Sequence, residues 1–299
     1  MYISFGELLV DMIKKDGKFH PYPGGAPANF SVALARLGIK PKLIASVGKD
    51  SFGDMLIETI KKENINVNHI KRSDKKTTLV FIELKNAVPE FVFHRSADVD
   101  IKKEEISENI FIDVEGFHFG SLSLTENPVR EALFHCLEIA KTYGILVSFS
   151  PNIRNDLWSK SLDEHLYEAL KYVDVLIASE NEFEYMFGNE TMKNVSKKYN
   201  IKKIAVTRGK NGCILFSRTN RKIIQHPIFS VDVADTTGAG DAFAAGFVYS
   251  LLKNKNDEES IRFASAVAAL STTKNGAMSV LPKIKEVEFY LNKNKKIKK

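Results

Sequence analysis

The 299-residue sequence predicts an α/β sandwich: a mainly parallel central sheet between two helical layers, with a small separate β-sheet as a lid. Three observations lead there. Short apolar runs of strand length alternate with helical patterns along most of the chain, the order a parallel sheet with crossover helices requires. The interval 77–100 breaks that alternation with two β-rich runs and no helix between them. The length, with 44% hydrophobic residues, suffices for one large core and an appendage.

Taken in order, YISFGELLV reads as the first buried strand, ending at Asp11, and Val10 to Tyr22 as a contribution to the small sheet. NFSVALARLG follows as a helix that Gly38 can cap, then KLIASVG as a strand and DMLIETIKKEN as a helix. TTLVFIELKNAVPEFVFHRSADVD supplies two strands joined by a short turn. Both alternating faces of LVFIEL and FVFH are apolar, so one face is expected over a ligand and the other against a second copy of the chain. ILVSFSP, VDVLIAS and IKKIAVTRG are further strands, and DTTGAGDAFAAGFVYSLL is a glycine-rich turn entering a long apolar helix.

Charge and composition exclude several classes. The formal charge of +6 is concentrated in the tail LNKNKKIKK; without its five lysines, 38 basic residues face 37 acidic ones. The body therefore offers no footprint for a polyphosphate backbone, no nucleic-acid partner is expected, and the tail reads as solvated and frayed. No run approaches the roughly 18 apolar residues a membrane span needs, so no membrane partner is expected and a cytoplasmic location is the default. Cys136 and Cys213 form no metal-ligand spacing and read as small core residues of a helix and a strand. The seven histidines form no ligand pair, and His118 reads as a core strand residue.

Two motifs carry chemistry. In DTTGAGD, Gly238, Ala239 and Gly240 lie where small side chains let a ligand approach backbone N–H groups that lack intrahelical acceptors, which makes an anion site. Asp241 falls in the first helical turn, placed to take a proton from a hydroxyl next to a phosphoryl group. In YPGGAPANFSVALARLG, Gly24 and Gly25 permit close backbone approach and Asn29 offers a donor and an acceptor. The two oxygens of Asp11 suit vicinal hydroxyls. A Walker loop is absent, because Gly48-Lys49 has no glycine at the required upstream position, and the third glycine of a Rossmann fingerprint would fall at Phe243.

Over nearly the whole chain, from GELLVD to GAMSVLP, these motifs resemble the ribokinase-like (PfkB) carbohydrate kinases, and within them the fructokinases. The resemblance implies a ribokinase-like three-layer sandwich forming one domain over residues 1–299, with a lid from about 10–22 and 77–100. It implies ATP and Mg²⁺, a sugar held by Asp11, Gly24, Gly25 and Asn29, and Asp241 as base behind Gly238 to Gly240. SPNIRNDLW is similar to the family's Asp-Pro-Asn-x-Arg run, with Ser150 in place of Asp, and adds Asn152 and Arg154. VTRGKNGCILF and ALSTTKNGAMSVLP are similar to the segments that border the nucleotide, adding Thr207, Gly209, Gly212 and Asn275, with a loop for a monovalent cation, K⁺, beside Asp235 and Thr237. SENEFEYMFG matches the Asn-x-x-Glu element in two registers. Ser179 with Glu182 keeps Phe183, Met186 and Phe187 on the expected face, whereas Asn181 with Glu184 is the literal motif; Glu182 is the preferred partner of Mg²⁺ through water. FVFHRSADVDI resembles the fructokinase lid, where the corresponding stretch of 2-keto-3-deoxygluconate kinases shows Ser-Ala-Ala. Arg95 is accordingly expected to reach the sugar from the lid, and D-fructose is the expected substrate; the rivals are 2-keto-3-deoxygluconate, another substrate of this family such as ribose, a nucleoside or a sugar phosphate, and an inactive sugar-binding regulator.

Overall fold

The computed structural model describes residues 1–85, 88–154, 157–158 and 162–296. Strands β1 (Tyr2–Phe5), β4 (Pro41–Gly48), β5 (Ile70–Ser73), β8 (Gly116–Phe119), β9 (Leu146–Phe149), β10 (Val175–Ser179), β11 (Lys203–Thr207), β12 (Cys213–Ser217) and β13 (Lys222–His226) form one sheet. Its order is β13-β12-β11-β10-β9-β8-β1-β4-β5, parallel from β11 through β5, with β12 and β13 antiparallel at one edge. The chain progresses from β1 towards β4 and β5 on one side, and from β8 towards β11 on the other. The switch point therefore falls between β1 and β8, where the carboxyl ends of neighbouring strands open a crevice.

Period-two burial divides the core in two. Tyr2, Leu43, Ala45 and Val47 pack against helices α1 (Ala26–Arg36), α2 (Ser51–Lys62), α7 (Ala239–Leu252) and α8 (Asp257–Ser271). Ile3, Phe5, Phe117, Phe119 and Phe149 face the opposite layer, α3 (Val129–Thr142), α4 (Asp163–Ala169), α5 (Glu180–Phe187) and α6 (Met192–Tyr199). This is the three-layer sandwich the alternation predicts. Cys136 and Cys213 are buried in it, and His118 stacks on Phe30 at 3.7 Å with its Nδ1 against Ser148 Oγ.

The lid is a second sheet, β3 (Lys18–Gly24), β2 (Leu9–Lys15), β6 (Leu79–Lys85) and β7 (Val88–His94), in that order. YISFGELLV is therefore not one strand. It breaks at Gly6, whose φ of 142° suits glycine and where a Cβ would stand 2.8 Å from Pro27 Cγ. Beyond the break the chain leaves the central sheet, so Asp11 sits on a lid strand and not at the edge of the main one. The basic tail is not frayed from Leu291 either: helix α9 (Ile284–Lys296) runs through it, and residues 297–299 lie outside the described residues. Among the described residues no helix is long and apolar enough to cross a membrane.

Candidate active site

A cavity of about 350 Å³ lies over the switch point, roofed by the lid. Pairing registers decide which lid residues face it. Asp11 pairs with Val80 and Ile13 with Ile82 across β2 and β6, while Val80 pairs with Phe93 and Ile82 with Phe91 across β6 and β7. Asp11, Val80, Ile82, Phe91 and Phe93 accordingly share the inner face and line the cavity. Phe81, Val92 and His94 alternate with them on the outer face, where Phe19 and His94 both meet the Phe81 ring edge-on. The inner face thus lines the cavity, and the outer face points away from it.

The floor comes from strand ends and helix starts. Asn29, in the first turn of α1, donates from Nδ2 to Asp241 Oδ2 at 2.9 Å, and its Oδ1 is buried without a partner. Glu7, 4% exposed, accepts the Ala26 N–H at 3.0 Å through Oε1 and leaves Oε2 buried and unpartnered. Gly24 and Gly25 make room for this arrangement. A Cβ on Gly24 would fall 2.1 Å from Asp11 Oδ2, and one on Gly25, at φ 106°, 2.4 Å from Glu7 O. Arg154 stacks on Phe91 at 4.4 Å, and its positive charge lowers the pKa of both Asp11 and Asp241. Ser150 and Asn152 line the same wall; Asn155 and Asp156 of that run lie outside the described residues.

Burial dominates the ionisation of the three innermost carboxyls. It pushes Asp241 up to about 6, against the Asn29 hydrogen bond and the Arg154 charge that hold it down. Asp11 and Glu7 are each pushed up to about 7 by the same desolvation. A carboxyl poised near neutrality beside an anion-binding turn can accept a hydroxyl proton.

That turn is the N-terminus of α7. Gly238, at φ 75°, is its N-cap with no side-chain cap, and Gly240 has no protein atom within 4 Å of where a Cβ would stand. The space beside Gly240 therefore belongs to the cavity. Thr207, Thr236 and Gly240 also line a second cavity of about 410 Å³, walled by Gly209, Gly212, Ile228, Phe229, Val231, Val233, Ala239 and the α8 residues Ser265, Ala268, Ala269 and Thr272. The two cavities thus share part of their lining, and the helix N-terminus stands between them.

Glu182 lines the first cavity, whereas Glu184 does not. The Glu182 carboxylate accepts Ser179 N–H at 2.8 Å, Ser179 Oγ–H at 2.7 Å and Ile153 N–H at 3.0 Å, while Ser179 caps α5 in return. Asp235, hydrogen-bonded by Thr237 N–H, Thr237 Oγ–H and Gly276 N–H, is held below the usual carboxylate range by those bonds, which outweigh the opposing burial.

Two expected site residues lie elsewhere. Arg95 does not reach into the cavity. Its guanidinium is nearly buried, bonded to Asp98 at 2.5 and 2.8 Å, to Leu122 O at 3.2 Å and to Thr125 Oγ, while Asp98 also accepts Thr78 Oγ–H. This is the Arg95–Asp98 pair that the spacing of the two residues allows, but in the interior, where β6 begins and β7 ends. Asn275 is exposed and lines neither cavity; Ser265, Ala268, Ala269 and Thr272 form that wall. Sequence reading also misses Glu7, which the GELLVD motif contains, and the 228–233 wall, which has no periodicity to reveal it.

A family model described as "pfkB family carbohydrate kinase" matches residues 3–284. The chain is 38% identical over 293 residues to a protein of Pyrococcus horikoshii named as a candidate sugar kinase, covering 93% of this chain and 92% of that one. It is 32% identical over 318 residues to fructokinase-2 of Oryza sativa subsp. japonica, covering 98% and 94%. The crystal structure of a fructokinase with bound ATP from Xylella fastidiosa superposes with a TM-score of 0.91 at 29% identity, covering 98% of each chain.

Proposed function

The chain belongs to the pfkB family of carbohydrate kinases, phosphotransferases with a sugar hydroxyl as acceptor, and from that premise we propose that it transfers the γ-phosphoryl group of ATP to the 6-hydroxyl of D-fructose. The observation that carries this reading is the junction at Gly238 to Gly240, with a polar, lidded cavity on one side and an apolar trough on the other. Residues 1–299 act as one catalytic unit of body and lid.

The sugar lies under the lid. Asp11, the unpartnered Asn29 Oδ1 and the unpartnered Glu7 Oε2 are acceptors that a polyol can satisfy with its hydroxyl protons. Among the described residues, Glu7, Asp11, Glu182 and Asp241 line this cavity against one cation, Arg154, which disfavours a carboxylate or phosphate on the acceptor. Asp98, paired inside with Arg95, takes no part in that discrimination. Asp241 removes the proton from the attacking hydroxyl. Uncapped N–H groups at the start of α7 receive the negative charge of the transferring group, and the apolar underside of Val80, Ile82, Phe91 and Phe93 excludes water as a competing acceptor.

Glu182, on the wall of the first cavity, is suited to hold Mg²⁺ through water, and the ion when bound would supply charge neutralisation on the phosphates. Asp235, kept ionised, with Thr237 and the 276 loop fits a monovalent cation such as K⁺. Two copies pair through the outer lid face, where Phe19, Phe81, Val92 and His94 lie. The two buried free thiols suit a reducing cytoplasm.

The test is kcat/KM with MgATP across D-fructose, 2-keto-3-deoxygluconate, ribose, nucleosides and fructose 6-phosphate, read by ADP release. D-fructose is expected to lead; a clear preference for the acid or the phosphate refutes the substrate and leaves the family standing.

A further inference from the structure

We infer that Arg36 is a positioning residue for phosphoryl transfer: it grips the 279–281 backbone and so fixes the loop on which the turn Gly238 to Gly240 rests. The inference rests on the proposed role of that turn.

Arg36 closes α1 and lines neither cavity. All three of its guanidinium nitrogens are engaged. Nε and Nη2 donate to the two carboxylate oxygens of Glu63, the C-cap of α2, at 2.9 and 2.6 Å. Nη1 donates to Leu281 O at 2.6 Å and to Ser279 O at 3.1 Å. The Arg36 and Glu63 side chains are only 15% and 21% exposed, so the planar fork is held in a fixed geometry that a single ammonium does not reproduce. Joining α1 to α2 needs Glu63 alone. The two carbonyls belong instead to the segment between Gly276 and α9, whose regular structure is one turn over Met278–Val280.

That segment meets the site at its other end. Gly276, at φ 115°, donates its N–H to Asp235 Oδ2 at 2.9 Å. Ala277 packs against Gly238, where a Cβ would stand 3.1 Å from Ala277 Cβ and 3.3 Å from its Cα. Met278 and Leu281 are buried in the core layer of α1 and α7. The N-cap of α7 therefore leans on backbone whose far end Arg36 holds. Asn29 and Arg36 lie about two turns apart, roughly 10 Å along one side of α1. One bonds Asp241 in the first turn of α7, and the other grips the loop against Gly238, so the contacts close a circuit around the start of that helix. Stabilisation of the transferring group depends on where the N–H groups of the turn stand, and a displacement on the order of 1 Å costs about 10²-fold.

The experiment measures the single-turnover rate constant with MgATP limiting, enzyme in excess and the sugar phosphorylated best at saturation, a quantity that an unfolded fraction does not change. Hydrogen exchange of the unliganded protein accompanies it. Arg36→Ala is expected to slow transfer on the order of 10- to 10²-fold, to leave the steady-state sugar KM within about twofold, and to speed amide exchange at 236–241 as well as at 276–281. Arg36→Lys, whose ammonium cannot hold Glu63 and both carbonyls together, is expected to show the same changes more weakly, and it carries the test where Arg36→Ala does not fold. Glu63→Gln, which leaves the grip on the two carbonyls, is expected to lose stability in urea and keep the wild-type rate constant. A wild-type rate constant in both Arg36 variants overturns the inference, as does exchange that quickens at 276–281 but not at 236–241, or a Glu63→Gln enzyme slowed as much as Arg36→Ala. Faster exchange at 236–241 in Arg36→Ala, in a chain whose wild type phosphorylates no sugar, would uphold the hold of Arg36 on the turn and refute the proposed function, so the two fail separately.

Discussion

Lowering the pH should switch off this enzyme through Asp241, and the structure fixes where. The carboxyl is raised to about 6 by burial, so as a base it is half ionised near that pH and only about a tenth ionised one unit below. The ionised form is favoured by the Asn29 Nδ2–H bond at 2.9 Å. A hydrogen bond to a charged group contributes about 1.5–3 kcal/mol, equivalent to about one to two pH units. Asn29→Ala should therefore move the acid limb of kcat upward by about one to two units, while Asp241→Asn lowers kcat about 10²- to 10⁴-fold at every pH. The Glu182 charge raises the same pKa, so Glu182→Gln should move the limb the opposite way. The assay is single-turnover phosphoryl transfer between pH 5 and 9 with both substrates saturating, which keeps product release and sugar affinity out of the profile. An acid limb unmoved in Asn29→Ala, or an Asp241→Asn enzyme with wild-type kcat, refutes the assignment.

Three further outcomes follow from the same geometry. Gly24→Ala places a methyl against Asp11 Oδ2 and should lower kcat/KM for the sugar on the order of 10²-fold while the KM for ATP stays unchanged, with circular dichroism confirming the fold. Glu7 is raised from 4.5 to about 7, so its folded-state proton stabilises the protein fully below pH 4.5, and that stability is lost as pH rises through 7. The stability of Glu7→Gln relative to wild type should accordingly be about 3 kcal/mol more favourable at pH 8 than at pH 4 in urea titrations, and a pH-independent difference would show that Glu7 is charged throughout. Phe81→Glu on the outer lid face should give monomers in sedimentation, whereas Ile82→Glu on the inner face should leave dimers without activity; the reverse pattern contradicts the facing of the strand.

The sequence displays those features whose physics is local. Alternating strand and helix patterns expose the sandwich because each element must bury one face, and the turn before Asp241 is visible because only small residues permit backbone to meet a ligand. Where tertiary context decides, local reading misleads. YISF before Gly6 and LLV after Glu7 are both mainly apolar, since the two segments are buried in different sheets, and nothing periodic marks the break. Arg95 three residues before Asp98 signals a pair but not its depth; the backbone folds the pair inward at the lid's root. The 228–233 wall is irregular, and Tyr290 of α9, remote in sequence, holds it: its ring meets Phe229 at 5.4 Å and its hydroxyl donates to Ser230 O at 3.3 Å.

The lid is woven from two stretches of chain, 9–24 and 79–94, and the parallel ladder of β2 with β6 is the seam between them. Neither half is a transferable module. A substrate preference moved between relatives by exchanging one hairpin would import strands whose inward residues must interdigitate with a seam they did not co-evolve with, and a single-residue slip there turns Asp11 outward and the apolar underside to solvent. A sugar preference therefore moves between relatives only when both stretches move together, as one segment spanning 9–94 that keeps the β2–β6 register.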